Sequence, residues 1–147
     1  MGQPEGPPRE PRPVLVVDGA NVVGSVPDGW WRDRRGAAER LRDALAGVAA
    51  YGLPEGSGAP GWACGVPLEV VLVVEGAARG VAEVPGVRVA SAAGSGDDLV
   101  VELVAAGRAG DGAAPRRCLV ATADRGLRAR VAALGAEVVG PRAVRPR

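Results

Sequence analysis

Seven side chains combine reactive type with telling position: Asp18, Asn21, Glu75, Asp97, Asp98, Thr122 and Asp124. Asp18, Glu75 and Asp124 each follow a short aliphatic run within a few residues, and Asp97-Asp98 opens a helical pattern just past another such run. Runs of this kind read as strands buried on both faces, and strands of a parallel sheet end along one edge, where ligands bind. Acids distant in sequence would therefore converge on one cleft with few cations near them. Carboxylates gathered in this way repel one another unless they take up protons or a cation. Oxygen-only donors suit Mg²⁺ or Mn²⁺ rather than zinc or copper.

Each acid also has a plainer reading. Asp18-Gly19 fits a turn at a strand end, Ser95-x-x-Asp98 fits a capping box, and Asp97 suits the positive end of a helix. Asp124 fits the N-cap of a following helix, with Thr122 as a helper.

Composition narrows the chemistry. The chain has 147 residues, 18 basic and 17 acidic, with a net charge of +1, and every basic residue is arginine. Lysine, histidine, isoleucine and phenylalanine are absent, and Asn21 and Thr122 are the sole asparagine and threonine. Histidine-based triads, imidazole metal ligands, Schiff bases and a P-loop lysine are thereby excluded. The depletion of residues with AT-rich codons points to a GC-rich, bacterial genome. Cys64 and Cys118 stand 54 apart and suggest neither a disulfide framework nor a zinc site. No apolar run approaches membrane-spanning length, so a cytoplasmic protein without a membrane partner is expected.

The elements that must position these groups alternate along the chain. A proline-rich, charged leader over 1–13 precedes a first strand at 14–17. A loop carrying Asn21, Trp30 and Trp31 leads to a helix over 33–51 with apolar residues at helical spacing. A flexible Gly/Pro-rich loop is expected at 52–67, a second strand at 68–74 and a third at 87–90. A small-residue turn leads to a helix over 97–106, and a loop over 108–115 to a strand at 118–121. A helix to about residue 134, capped by Gly135, precedes a last strand at 137–139 and a basic tail over 141–147. Alternation of this kind predicts one α/β domain over 14–140, three-layered, with a mainly parallel central sheet flanked by helices.

The segment Val-Leu-Val-Val-Asp18-Gly-Ala-Asn21-Val-Val-Gly24 resembles the first strand and DG-x-N signature of NYN domains, in the PIN-like nuclease superfamily. Gly-Asp97-Asp98-Leu resembles that family's acidic helix start, and Val-Ala-Thr122-Ala-Asp124-Arg125-Gly-Leu its last acidic motif. The order and spacing suit the YacP-like branch of ribosome-associated bacterial ribonucleases. The resemblance runs from about residue 14 to 140. It implies that Asp18, Asp97 and Asp124 are ligands of Mg²⁺ or Mn²⁺, that Asp98 is an auxiliary acid, and that Asn21 and Thr122 orient ligands, water or phosphate. It also implies an RNA partner, presented in association with the ribosome; a homodimer is a further expectation. Two residues depart from the family pattern: Glu75 stands where aspartate is usual, and Gly96 replaces alanine.

The expected activity is thus metal-dependent hydrolysis of an RNA phosphodiester, with metal-bound water in place of a side-chain base. Charge distribution fits an RNA partner better than net charge does. Arg32, Arg34, Arg35, Arg40 and Arg42 stand against Asp33 and Glu39, and the tail adds three arginines. Trp30 and Trp31 suit stacking on unpaired bases or anchoring of their loop. A haloacid-dehalogenase-type phosphatase would need an acid at Ala20 and a lysine, and a Toprim site would need a downstream Asp-x-Asp; neither is present. The alternative is a non-catalytic RNA- or protein-binding module of the same fold.

Overall fold

The computed structural model describes residues 12–108 and 116–145. The leader up to residue 11, the loop at 109–115 and the last two residues of the tail lie outside the described residues.

Five strands form one parallel sheet in the order β3-β2-β1-β4-β5: β1 Val14–Asp18, β2 Glu69–Val74, β3 Val87–Ser91, β4 Cys118–Ala121 and β5 Glu137–Val139. Alternate side chains along the strands feed two cores. Leu15, Val17, Val70, Leu72, Leu119 and Ala121 pack on the side of helix α2 (Arg34–Tyr51). Val16, Val73 and Val120 pack on the other side, against α3 (Gly96–Arg108) and α4 (Arg125–Ala133). Because both faces are covered, the strands read in sequence as unbroken aliphatic runs rather than as alternating patterns. Among the described residues no helix is long and apolar enough to cross a membrane.

The order of strands has a consequence for function. From β1 the chain builds outward through β2 to β3, then crosses back to β4 and builds outward the other way to β5. The reversal falls between β1 and β4, the place where ligands sit in sheets of this class. Register puts Val17 beside Ala121 and Asp18 beside Val73. Thr122, one residue beyond Ala121, therefore stands next to Asp18.

Two local features differ from expectation, and the tail adds a third. Residues after β1 form a short helix, α1 (Gly19–Gly24), not a loop, so Asn21 is helical. Its sequence, GANVVG, has low intrinsic helix propensity, and packing holds it: Val22 and Val23 are buried. Gly19 is required there, since a Cβ would lie 2.4 Å from the Val73 carbonyl oxygen of β2. The segment 52–67, expected to be flexible, closes on itself. The Leu53 N–H donates to the Ala63 carbonyl, the Gly65 N–H donates to that of Leu53, and Leu53, Ala63 and Cys64 are buried. The described part of the tail also packs rather than trailing away. Ala143 and Val144 are buried, and Arg145 bonds the Val23 carbonyl and Asp28.

Candidate active site at the carboxyl edge of the sheet

Thr122 is the hinge of the site. It is fully buried, and its hydroxyl donates to Asp18 Oδ2 at 2.9 Å while accepting the Asp124 N–H at 3.1 Å. Its carbonyl accepts from Arg128 Nε at 2.8 Å. One small side chain thus joins the end of β1 to the start of α4, so the rarity of threonine in this chain coincides with a position that uses both hydrogen-bonding capacities of a hydroxyl. Asn21 makes the parallel link from α1: its Oδ1 accepts the Ala123 N–H at 2.9 Å.

Asp18 is only 3 % exposed. Burial pushes its carboxyl above the ordinary 3.8; the Thr122 hydroxyl and the Asn21 N–H oppose this, while Asp97 and Glu75 add to it. Asp97 is also raised above 3.8, through desolvation first and then through the charges of Asp124 and Glu75, with Arg130 opposing. Asp18 and Asp97 thus each lie within electrostatic reach of Glu75, and Asp97 also of Asp124, with Arg130 opposing at Asp97.

The acids are not equivalent. Asp124 caps α4, with Oδ1 accepting the Leu127 N–H at 2.8 Å, as its plainer reading anticipated. Asp98 turns to the rim and pairs with Arg130 at 3.0 Å, where its side chain is 67 % exposed. The capping box read from Ser95 and Asp98 takes another form: the Ser95 hydroxyl accepts the Asp97 N–H at 3.1 Å.

Glu75 has a position that sequence reasoning left open. Its Oε2 accepts the Gly96 N–H at 3.0 Å, so it ties the end of β2 to the first turn of α3 immediately before Asp97. A Cβ at residue 96 would lie 3.2 Å from Glu75 Oε1. The two departures from the family pattern are therefore in contact: the longer acid reaches the helix, and the missing methyl makes room for it. Paired occurrence of the two departures was the only signal in the sequence. Arg128 had none, because its role depends on a carbonyl.

The donor set tests the metal expectation. All candidate ligands are carboxylate oxygens, which fit a hard divalent cation. Among the described residues no three or more His, Cys, Asp or Glu side chains are grouped so that they could hold a metal ion together. A hard divalent cation would therefore have to be held by one or two carboxylates, with water and a substrate phosphate completing the shell.

Comparison with known proteins places the fold. No family model matches the chain, and no curated protein matches it in sequence. Two crystal structures of Rae1 (YacP) from Bacillus subtilis do resemble it. The first, a tryptophan-to-leucine mutant, matches with a TM-score of 0.61 at 20% identity over 90% of this chain and 72% of that one. The other matches with a TM-score of 0.63 at 20% identity over 89% of this chain and 70% of that one. The chain thus has the α/β fold of Rae1 (YacP), in line with the resemblance read from its motifs.

Proposed function

We propose that the chain is a metal-dependent endoribonuclease whose reaction centre is the cleft between β1, β4 and the start of α3. The observation that carries this reading is the placement of Asp18, Glu75, Asp97 and Asp124 at or just beyond the carboxyl ends of strands about the topological reversal of the sheet, with Asp18 and Asp97 raised by burial and by neighbouring acids. The fold shared with Rae1 (YacP) and the three acidic motifs of the YacP-like pattern support the choice of RNA as substrate.

Of the three aspartates that the resemblance assigns to Mg²⁺ or Mn²⁺, one or two would bind the ion directly, Asp18 and Asp97 before Asp124, whose Oδ1 caps α4. The ion, when bound, supplies a Lewis acid for the phosphoryl oxygens and lowers the pKa of a coordinated water. Thr122 fixes Asp18 by donating to Oδ2, which keeps one carboxylate oxygen pinned and the group correctly turned. Asn21 holds the 122–124 turn against α1 through the Ala123 N–H. Glu75 sets the start of α3 and hence the position of Asp97. Asp98 and Arg130 form a charged rim beside the cleft.

The hydrogen bonds that occupy Asp124, Asn21 and Glu75 also favour a second reading, in which the same groups are purely structural and the domain binds RNA without cutting it. Incubation of the full chain with single-stranded and structured RNA, with Mg²⁺, Mn²⁺ or EDTA, separates the two. The nuclease reading expects cleavage that EDTA and Asp18→Asn each abolish. Cleavage surviving both overturns the metal mechanism, and metal-independent RNA binding without cleavage favours the module.

A further inference from the structure

Next to the carboxylates lies a cavity of about 360 Å³, entered from the same sheet edge. Gly19, the neighbour of Asp18, and Glu75 both line it, so it adjoins the reaction centre. Trp30 and Arg34 line it too, with the Arg34 guanidinium 5.4 Å from the centre of the Trp30 ring. Trp31 braces Trp30 edge-on, the ring planes crossing at 87°. Arg79 is also in the lining. Its guanidinium donates to the Gly76 and Ala93 carbonyls, both at 3.2 Å, and Arg35 secures the same corner through the Arg79 and Gly80 carbonyls.

The chemistry of these walls selects an occupant. An indole and a guanidinium plane are surfaces on which nucleic-acid bases stack, and unpaired bases are the ones free to enter. The cavity is near the lower end of the roughly 300–1,000 Å³ range of small-ligand clefts, which suits one nucleotide unit and excludes a duplex. Glu75 is the acidic residue in the lining. Its carboxylate gives one oxygen to the Gly96 N–H and, with about four lone-pair sites, retains capacity for further donors. Guanine offers two adjacent N–H donors on its Watson–Crick edge, whereas uracil offers one.

We propose that the cavity between Trp30, Arg34, Arg79 and Glu75 is a base-binding subsite that seats an unpaired guanine beside the proposed reaction centre. This deepens the nuclease reading and rests on it for the choice of RNA. The subsite makes the preferred target a single-stranded segment and gives it a sequence preference at one position next to the reacting bond.

Binding of fluorescent uridine decamers carrying one central guanosine, one uridine or one abasic site tests the proposal, with the full chain in EDTA so that no cleavage intervenes. The guanosine decamer is expected to bind about tenfold tighter than the abasic one, the uridine decamer falling between. Trp30→Leu should reduce the guanosine advantage to within twofold while leaving abasic binding unchanged. Trp30 is half-buried, so Ala20→Leu gives an independent check: Ala20 is exposed on α1, lines the cavity, and a leucine there takes up part of the space a base would need. Equal binding of guanosine and abasic decamers, or an advantage that survives Ala20→Leu, overturns the subsite. Guanosine 5′-monophosphate binding as tightly as the decamer overturns its assignment to RNA. Parallel cleavage assays with Mn²⁺ keep the two readings apart. Base-dependent binding without cleavage upholds the subsite and sinks the nuclease, and cleavage without base dependence does the reverse.

Discussion

The two edges of the sheet treat acidic residues in opposite ways. At the amino edge, Glu69 at the start of β2 is bracketed by Arg116 at 2.7 Å and Arg88 at 3.4 Å. Nearby, Glu137 at the start of β5 accepts the Trp62 indole N–H at 2.8 Å, and Arg117 lies over the same ring. At the carboxyl edge, Asp18 and Asp97 sit among other carboxylates, while Arg130 is engaged with Asp98 on the rim and Arg145 with Asp28. The same backbone supports both edges. An acid whose task is to hold the fold is given a cation, whereas an acid left raised and crowded is a candidate for chemistry.

The largest expected difference between the edges is in catalysis. Asp97→Asn should slow RNA cleavage by roughly a hundredfold or more, equivalent to about 2.7 kcal/mol of barrier, while Glu69→Gln stays within twofold of the parent. Equal losses in single-turnover assays would erase the distinction between the edges.

Next in size is the buried hydroxyl. Thr122→Val removes the donor from Asp18 Oδ2 and the acceptor from the Asp124 N–H, and leaves a buried carboxylate poorly satisfied. Urea unfolding at pH 7 should show a loss of about 1–3 kcal/mol, with Thr122→Ser retaining most of the stability.

The contact between Glu75 and Gly96 gives a smaller, coupled effect. Glu75→Asp shortens the side chain away from the Gly96 N–H, and Gly96→Ala crowds Glu75 Oε1. The double variant should be more stable than the sum of the single changes by about 0.5–1 kcal/mol in a double-mutant cycle. Strict additivity would mean that the two departures from the family pattern are unrelated. Smallest is the amino-edge pairing itself: Glu69→Gln should cost no more than about 1 kcal/mol, less at high salt.

Proton linkage sharpens the contrast. Burial first, and neighbouring charge second, hold the carboxyls of Asp18 and Asp97 above 3.8 in the folded chain. The folded state therefore binds these protons more tightly than the unfolded one. The stability they contribute is full below the unfolded value and is lost as pH rises through the raised folded values. In EDTA, Asp97→Asn should flatten that fall and melt higher than the parent at pH 7; a parent-like pH profile would contradict the crowding.

The layered fold, and the placement of the acids at the carboxyl ends of its strands, were legible in the sequence because both follow from aliphatic runs ending in carboxylates. Helix α1 was not, since GANVVG reads as a loop and becomes helical only through burial of Val22 and Val23. The closure of residues 52–67 was hidden for a similar reason: its bonds join backbone groups across a Gly/Pro-rich stretch whose composition signals only irregularity. For the site, Asn21 and Thr122 stood out by rarity, but what they bond to did not. Each links residues about a hundred positions apart, a pairing set by strand order rather than by local pattern. Asp98 was grouped with the other acids by adjacency to Asp97, yet helical rotation directs it to Arg130.

The most direct test of the central claim is the cleavage rate of a single-stranded RNA as a function of Mn²⁺ concentration for the parent, Glu69→Gln and Asp97→Asn chains. The account predicts saturable Mn²⁺ activation of the parent and of Glu69→Gln with the same midpoint, and a response in Asp97→Asn that is strongly weakened or lost. Cleavage independent of Mn²⁺ and unaffected by EDTA, or an Asp97→Asn curve that overlays the parent, would contradict it.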